Sequence, residues 1–253
     1  MSTATNTDLL RAPRPARNAL GGLTVVLACL DEAENLPDAV RHATQAAERC
    51  AVTHEIIIVD DGSTDETVTV AGAIAARDSR VRLVVHAENR GYGAALRSGI
   101  AAARMPWVLL TDGDLQFDFD DLEDFLPLAQ SADLVVGWRI MPQGPVGERV
   151  EGALWNRFLC AAFGLPVRDV GCAFRLARRE LLQSLDLRAS GPLVGAELLV
   201  KSRIAGARAA EAPVHHKARV AGRHSGSGRR LSARTLRELA DLRRALRNRP
   251  GHA

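Results

Sequence analysis

The stretch Trp107-Val-Leu-Leu-Thr-Asp112-Gly-Asp114-Leu-Gln116 is an apolar run followed at once by two carboxylates one residue apart. A continuous run such as Val108 to Leu110 is typical of a strand covered on both faces, and ligands of open α/β sheets bind beyond the carboxyl ends of such strands. Two like charges this close repel each other, and a divalent cation that carries a substrate phosphate relieves the repulsion. The stretch predicts a metal-diphosphate site; a polar turn that caps a helix is the structural alternative.

Two earlier apolar runs end in acids in the same way. Leu23 to Leu30 is followed by Asp31-Glu32, and Glu55 to Val59 is followed by Asp60-Asp61. Segments with helical patterns separate these strands, which predicts an α/β fold with a mostly parallel central sheet and helices on both faces. The carboxyl ends of parallel strands lie at one edge of the sheet, so we expect the three pairs of acids to lie close together.

The remaining elements follow from the same patterns. Further strands are predicted at residues 81–85, 133–139, 171–176 and 210–216. Helices are predicted from Asp31 towards Cys50, after Asp65, from the glycine-rich loop at 89–100, and at 151–163, 178–185, 194–205 and 231–247. The Gly/Pro-rich segment 141–150 is predicted to be a loop over the site.

The charge distribution is asymmetric although the net charge is only +3. Residues 201–253 carry 14 Lys or Arg against 3 Asp or Glu, a local charge of +11, so the first 200 residues carry −8. A basic tail of this kind suits a nucleic acid, an anionic membrane surface or a phosphorylated substrate. The acidic body and the single Tyr, without an aromatic-basic platform, argue against nucleic acid.

The cysteines and the N-terminus indicate the compartment. The four cysteines show no zinc-site spacing and no dense disulfide framework, which indicates reduced thiols in a cytoplasmic protein. Arginines before the apolar run 19–30 resemble a signal peptide, but Gly21-Gly22 and the continuation into a strand and helix favour a first strand. No apolar stretch reaches the ~20 residues that span a bilayer.

These motifs, in this order, resemble the family-2 glycosyltransferases of GT-A fold, particularly the dolichyl- or polyprenyl-phosphate mannosyl- and glucosyltransferases. The matching segments are 30–37, 58–65, 89–99, 111–116, 136–139, 168–175 and 211–225. Ile58-Val-Asp-Asp-Gly-Ser-Thr-Asp65 is highly specific in this context, and Asp112-Gly-Asp114 matches the Asp-x-Asp motif. Ala28, Asp31 and Tyr92 depart from the frequent Pro, Asn and Lys of the family, which leaves the nucleotide open.

The resemblance implies a hexosyltransferase with a nucleotide-sugar donor of the GDP-mannose or UDP-glucose type and with Mg²⁺ or Mn²⁺. The residues that it implies for substrate binding are Leu30, Glu32, Asp60, Asp61, Asn89, Asp112, Gln116 and His216. The metal ligands that it implies are Asp112, Asp114 and Gln116. Carboxylates accept hydrogen bonds from ribose hydroxyls and base N–H groups, and a cation neutralises charge on a departing diphosphate.

The same resemblance implies a polyprenyl phosphate as acceptor. Such a phosphate is already an anion, so inverting transfer needs orientation and arginines more than a general base. Arg139, Arg149 and Arg219 are implied for this role beside Asp114, although each arginine suits a solvated surface too. If the acceptor were the hydroxyl of a soluble small molecule or glycan, Glu197 would be the candidate base, with a structural acid at a helix N-terminus as its other reading.

The expected domains follow from the extent of the resemblance. They are a disordered lead-in at 1–20, a GT-A domain at 21–226 with a nucleotide-binding half (21–115) and an acceptor half (116–226), and a basic amphipathic helix within 227–253. This helix either lies on the inner face of the membrane, as a peripheral contact, or packs on the domain by its leucines. A non-catalytic nucleotide-sugar binder is the alternative from another functional class, and His215 and His216 are either site residues or the end of an edge strand.

Overall fold

The structure is a computed structural model that describes residues 19–141, 146–219 and 233–247, and its centre is a seven-stranded sheet. The strands are β1 (Leu23–Cys29), β2 (His54–Asp60), β3 (Val81–Val85), β4 (Trp107–Asp112), β5 (Leu134–Arg139), β6 (Arg175–Arg178) and β7 (Ala209–Val214). Their order across the sheet is β3-β2-β1-β4-β6-β5-β7. The predicted α/β architecture is confirmed.

Helices cover both faces of the sheet. They are α1 (Leu36–Cys50), α2 (Thr67–Arg77), α3 (Tyr92–Ala102), α4 (Leu122–Ala129), α5 (Val146–Phe163), α6 (Arg179–Ser184), α7 (Val194–Ile204) and α8 (Ala233–Arg247), with a 3₁₀ turn at Phe119–Asp121. Buried apolar residues of α1, α2 and α4 form one apolar cluster, the α1 cluster. Buried apolar residues of α3, α5, α6, α7 and α8 form a second one, the α3 cluster.

The apolar strands are buried on both sides, as their sequences predict. In β1, Val25 and Leu27 face the α1 cluster, whereas Val26 faces the α3 cluster. All three side chains are fully buried. Each such side chain stabilises the fold by about 2 kcal/mol relative to an exposed one, so the sheet gives the loops at its edge a rigid support.

One strand runs against the others. β6 pairs antiparallel with both of its neighbours, so that Arg175 lies opposite Leu110 on one side and Val136 on the other. The predicted strand at 171–176 is wrong for residues 171–174, because β6 begins at Arg175. The chain still turns there, because the N–H of Cys172 donates to the carbonyl of Asp169 at 3.4 Å.

Two helix boundaries also differ from the prediction. α1 begins at Leu36 and not at Asp31, because Asp31 has a φ of 54° and the carbonyl of Glu32 closes a turn on the N–H groups of Asn35 and Leu36. α5 begins at Val146, so the predicted loop 141–150 is wrong for residues 146–150, and 142–145 lie outside the described residues.

The ends of the described chain are bound to the domain. In the predicted lead-in, 1–18 lie outside the described residues, but Leu20 is buried and bridges to Ala51. At the other end, α8 packs on the α3 cluster through Leu242, and Glu238 accepts the N–H of Ser190 at 3.2 Å. None of the helices within the described ranges has the length and apolar character needed to cross a bilayer.

Candidate active site

The site lies where the parallel strands end. In the register of the sheet, the two residues that close β1 pair with acids: Cys29 with Asp60 of β2 and Ala28 with Asp112 of β4. β5 ends at the same edge with Arg139. The predicted convergence of strand-end acids at one edge therefore follows from the parallel pairing.

Asp112 is held in an unfavourable environment for a carboxylate. Its side chain is half-buried as a whole, but Oδ1 is fully buried and has no hydrogen-bond partner among the described residues. Burial, and next the charge of Asp114, raise the pKa of Asp112 well above its usual range. The nearby Tyr92 hydroxyl and the charge of Arg175 favour the ionised form and offset part of this effect.

Asp114 is brought to the same place by a tight turn. A Cβ at Gly113 would lie 2.5 Å from Cys29 Sγ, so a larger residue there would have to displace the buried Cys29 side chain. Leu115 adopts a φ of 60°, which turns the chain back. The backbone N–H of Gln116 then donates to Asp114 Oδ1 at 3.1 Å. The Gln116 amide itself points to the carbonyl of Lys217 at 3.4 Å.

Arg219 joins the acids of two strands. Its guanidinium donates to Glu32 beyond β1 and to Asp114 Oδ2 at 3.4 Å beyond β4. Glu32 is buried and also accepts a hydrogen bond from Asn35 at 2.7 Å. Burial raises the pKa of Glu32, and the charge of Arg219 opposes that rise. The guanidinium thus serves as the counter-charge between these two carboxylates.

Asp60 has one satisfied and one unsatisfied oxygen. Oδ2 accepts the N–H groups of Gly62 and Ser63, each at 3.2 Å. Oδ1 is buried without a hydrogen-bond partner in the described part of the chain. Gly62 has a φ of +77°, and a Cβ there would meet the backbone of Glu88 at 2.4 Å. The carboxylate therefore shapes a tight turn with one oxygen and uses the other for no hydrogen bond within the described residues.

Asp61, the adjacent acid, is fully engaged by the protein. Its oxygens accept the N–H groups of Arg90 at 3.0 Å and Gly91 at 2.8 Å. Asp61 also pairs with His86 Nδ1 at 2.6 Å, and the other ring nitrogen of His86 lies 2.8 Å from Ser98 Oγ. These contacts indicate an anchor of the glycine-rich loop.

Glu197 is engaged in a similar way. Its carboxylate accepts the N–H groups of Arg188 at 2.9 Å and Ala189 at 2.8 Å, and it pairs with Lys201 at 2.7 Å. The side chain is buried near the start of α7. These contacts hold the loop at residues 188–190.

The two anchored loops pack directly on each other. The N–H of Gly93 donates to the carbonyl of Ser190 at 3.0 Å. A Cβ at Gly91 would lie 2.4 Å from that carbonyl oxygen, and one at Gly93 would lie 2.1 Å from the carbonyl oxygen of Ala189. The glycines of the predicted loop are therefore required by backbone packing.

Arg139 ends β5 in a fixed orientation. Its guanidinium makes a two-pronged pair with Asp169, with distances of 2.7 and 2.9 Å. His216 lies beside it and contacts the ring of Phe117 edge-on at 5.3 Å. Burial, and next the positive charge of Arg139, lower the pKa of His216 to about 4. His216 is therefore neutral at physiological pH.

The other predicted site residues lie further out. Leu30 follows β1 and is half-buried, and the Asn89 side chain accepts an N–H of its own loop at 3.0 Å. Arg149 lies on the exposed first turns of α5 and is not brought to the acids by any hydrogen bond or ion pair among the described residues. His215 donates to Asp121 at 2.7 Å, which raises the pKa of His215.

The sequence reasoning missed a buried polar group beneath the acids. Arg175 is only 2% exposed, donates to the carbonyl of Val170 at 2.6 Å, and has a buried Nε without a partner in the described ranges. The Tyr92 hydroxyl faces Asp112 but makes no hydrogen bond of normal geometry. The pairing of Arg175 with Leu110 would have pointed to this arginine, but only after the antiparallel register was known.

Asp112 and Asp114 fit a divalent cation only if a ligand completes the coordination shell of that cation. The described residues contain no group of three or more His, Cys, Asp or Glu side chains arranged to hold a metal. A buried oxygen without a partner on Asp112, next to the like charge of Asp114, is nevertheless the arrangement that a cation stabilises. Mg²⁺ sites often combine one or two carboxylates with substrate phosphates.

Comparison with known proteins agrees with this fold. A glycosyltransferase of Mycobacterium bovis that is described as uncharacterized is 38% identical over 81% of this chain and 90% of its own length. The dodecaprenyl-phosphate galacturonate synthase of Rhizobium johnstonii is 28% identical over 91% of this chain and 69% of its own length.

A solved structure shares the fold. Glucosyl-3-phosphoglycerate synthase of Mycobacterium tuberculosis, crystallised with Mn²⁺, uridine diphosphate and glucosyl-3-phosphoglycerate, superposes with a TM-score of 0.63 at 22% identity. The match covers 89% of this chain and 77% of that one. The fold of this chain is GT-A. The family model described as "Glycosyl transferase family 2" matches residues 24–186. This chain therefore belongs to glycosyl transferase family 2.

Proposed function

We propose that this glycosyltransferase moves a hexose, with inversion and with a divalent metal, from a nucleotide sugar to a polyprenyl phosphate. One observation carries the donor half of the proposal. Asp112 has a buried oxygen without a hydrogen-bond partner among the described residues and lies beside Asp114, which Arg219 links to Glu32. A site of this charge suits a diphosphate that arrives with its own cation.

Different residues of the chain are proposed to bind different parts of the donor. The free oxygen of Asp60 is positioned to accept a hydrogen bond from the base or the ribose, and Asp61 holds the glycine-rich loop in place. Asp112 and Asp114, with Gln116, would hold Mg²⁺ or Mn²⁺, which neutralises the charge of the departing diphosphate. Glu32 keeps Arg219 within reach of that charge.

The acceptor half rests on the arginines and on the relatives. Arg139 presents a guanidinium oriented by Asp169, which suits a phosphate oxygen at the same edge of the sheet. A lipid phosphate needs no general base, because it is already an anion. The name of the Rhizobium johnstonii relative, a dodecaprenyl-phosphate galacturonate synthase, supports an acceptor of this class.

The state of Glu197 argues against the competing acceptor. A base for a hydroxyl acceptor needs a free carboxylate oxygen, whereas the oxygens of Glu197 hold two backbone N–H groups and Lys201. We therefore expect Glu197→Gln to retain transfer to a lipid phosphate, with a loss below about tenfold, because its role is to hold a loop.

The test is a transfer assay with purified full-length protein. Labelled UDP-glucose, GDP-mannose and related donors are incubated with polyprenyl phosphate in detergent, with Mn²⁺, Mg²⁺ or a chelator. We expect metal-dependent glycolipid, strongly reduced transfer by Asp112→Asn, and full activity of Asp124→Asn, which changes an exposed acid on α4.

Three results would contradict the proposal. Transfer to soluble hydroxyl acceptors, abolished by Glu197→Gln, would favour the competing acceptor class. Metal-dependent donor binding without transfer to any acceptor would favour a non-catalytic binder. Glycolipid formation that is indifferent to chelator would remove the metal from the proposal.

A further inference from the structure

The exposed apolar residues of this protein are concentrated in one region. Six of the ten large apolar side chains that are exposed in the described ranges lie between residues 140 and 158. Four of them form the α5 stripe, at 72%, 54%, 65% and 44% exposure: Val146, Val150, Leu154 and Phe158. Residues four apart share one face of a helix. A contiguous stripe of this kind marks an interaction surface.

The stripe is not a displaced piece of the core. α5 already uses its opposite side for packing, since Leu159 and Phe163 are buried in the α3 cluster. Trp155 is half-buried and stacks on Phe158 with ring centroids 5.4 Å apart. The helix is therefore held by one face and presents the other outward.

Two further exposed apolar residues lie next to the candidate site. Ile140 and Met141, which are 42% and 69% exposed, directly follow Arg139 at the end of β5. Ile140 is fixed there by a hydrogen bond from its N–H to the carbonyl of Val214 at 3.1 Å. A molecule with a phosphate at Arg139 and an apolar tail would thus find apolar side chains on leaving the site.

The charges around the stripe favour an anionic surface. Arg157 is exposed on the face of α5 that carries the stripe, and one acid, Glu151, lies at its edge. α8 packs on the same side of the sheet and exposes further arginines. Arginines beside an apolar helix face suit a bilayer with acidic headgroups. A two-fold contact between two such stripes would instead bring two Arg157 side chains into one apolar interface.

We propose that the α5 stripe, with Ile140 and Met141, docks on an anionic membrane leaflet. The position of this surface beside Arg139 would let a lipid phosphate enter the site directly from that leaflet. The identity of the lipid rests on the proposed function, whereas the docking itself does not.

Vesicle binding tests the docking. Full-length protein is mixed with phosphatidylcholine vesicles that contain or lack phosphatidylglycerol, and the bound fraction is measured by flotation. The triple variant Val150→Ser/Leu154→Ser/Phe158→Ser should bind the anionic vesicles at least about tenfold less tightly, a change of about 1.4 kcal/mol. The matched control, Val52→Ser/Val68→Ser/Val85→Ser, removes as many exposed apolar side chains elsewhere and should bind like the wild type. Melting curves of both variants check that they fold.

Several outcomes would overturn the proposal. They are no binding of the wild type to anionic vesicles, equal binding of the two variants, and a dimer in size-exclusion chromatography that the stripe variant alone dissociates while vesicles stay unbound. The last outcome would assign the stripe to a second copy of the chain.

A transfer assay separates this proposal from the proposed function. The stripe variant should retain transfer to a short, water-soluble prenyl phosphate and lose transfer to a long-chain acceptor in vesicles. Equal loss with both acceptors would contradict a docking role. If no prenyl phosphate of any length accepts sugar, the proposed function fails, while flotation still reports on docking.

Discussion

Two sets of carboxylates follow strands or begin helices in this protein, and their surroundings differ. Asp61 and Glu197, the anchor acids, each accept at least two backbone N–H groups and pair with a basic side chain. Asp112 and Asp114, the site acids, lie beside each other, and a buried oxygen of Asp112 has no partner in the described chain. Anchor acids stabilise the ligand-free fold, whereas on the proposed function the site acids cost stability until a ligand binds.

The largest expected effect separates activity from stability at a site acid. Asp112→Asn should lower the transfer rate by about 10²–10³-fold, because the charge that addresses the metal and diphosphate is lost. The same change should raise the melting temperature at neutral pH, by roughly 2–4 °C for each kcal/mol of relieved repulsion. Initial rates and calorimetric melting of the same preparation measure both. A fall in both quantities would place Asp112 among the anchor acids.

The next largest effect is a loss of stability when an anchor acid is removed. Asp61→Ala should lower the free energy of unfolding by about 3 kcal/mol, because it leaves two backbone N–H groups and His86 without their acceptor. Urea denaturation at constant pH measures this loss. Asp124→Ala on the exposed face of α4 is the matched control and should change it by less than about 0.5 kcal/mol.

A smaller effect concerns the counter-charge between Glu32 and Asp114. Arg219→Gln should destabilise the protein by about 2 kcal/mol at pH 8, and by less at pH 5. Burial already raises the pKa of Glu32, and without Arg219 that pKa rises further. A raised carboxyl pKa means that ionisation of Glu32 opposes folding. The loss of stability in the variant therefore grows as pH rises above the pKa that the Glu32 carboxyl has in the unfolded chain. Melting temperatures between pH 5 and 8 measure it; a constant difference between variant and wild type would contradict the pairing.

The smallest effect is a pH dependence of metal binding. A cation prefers the ionised form of Asp112, whose pKa is raised by burial and by Asp114. As pH falls through this raised pKa, binding must release a proton, and the affinity should fall by about tenfold per pH unit. Calorimetric titration of Mn²⁺ with a nucleotide sugar measures the slope. An unchanged affinity down to the usual range of aspartate would show that Asp112 is not the titrating ligand.

The strands were predictable because their apolar runs are long and are bounded by acids and glycines. β2 and β3 match their predicted segments within one residue, and β4 contains the predicted run Val108 to Leu110. The start of β6 was predicted too early, since only tertiary pairing determines whether residues 171–174 form a strand or a turn. Local sequence does not encode that choice.

The distinction between anchor and site acids was not predictable. Asp60 and Asp61 are neighbours in one motif, yet Asp60 has a buried oxygen without a hydrogen-bond partner in the described chain, whereas Asp61 accepts hydrogen bonds from a loop about 30 residues away. Two partners of Asp61 are backbone N–H groups, which every residue except proline carries and which leave no mark in the sequence. Arg175 was missed for a related reason, because its burial depends on the antiparallel register.

The antiparallel strand β6 also works as a spacer. It separates β4 from β5, and because neighbouring strands lie about 4.8 Å apart, the ends of β4 and β5 are about 10 Å apart. On the proposed function, the transferred sugar has to bridge the gap between the donor side at Asp112 and the acceptor side at Arg139. The width of a single strand would then limit the size of the transferred unit, so that backbone geometry sets an upper bound before any side chain selects the sugar.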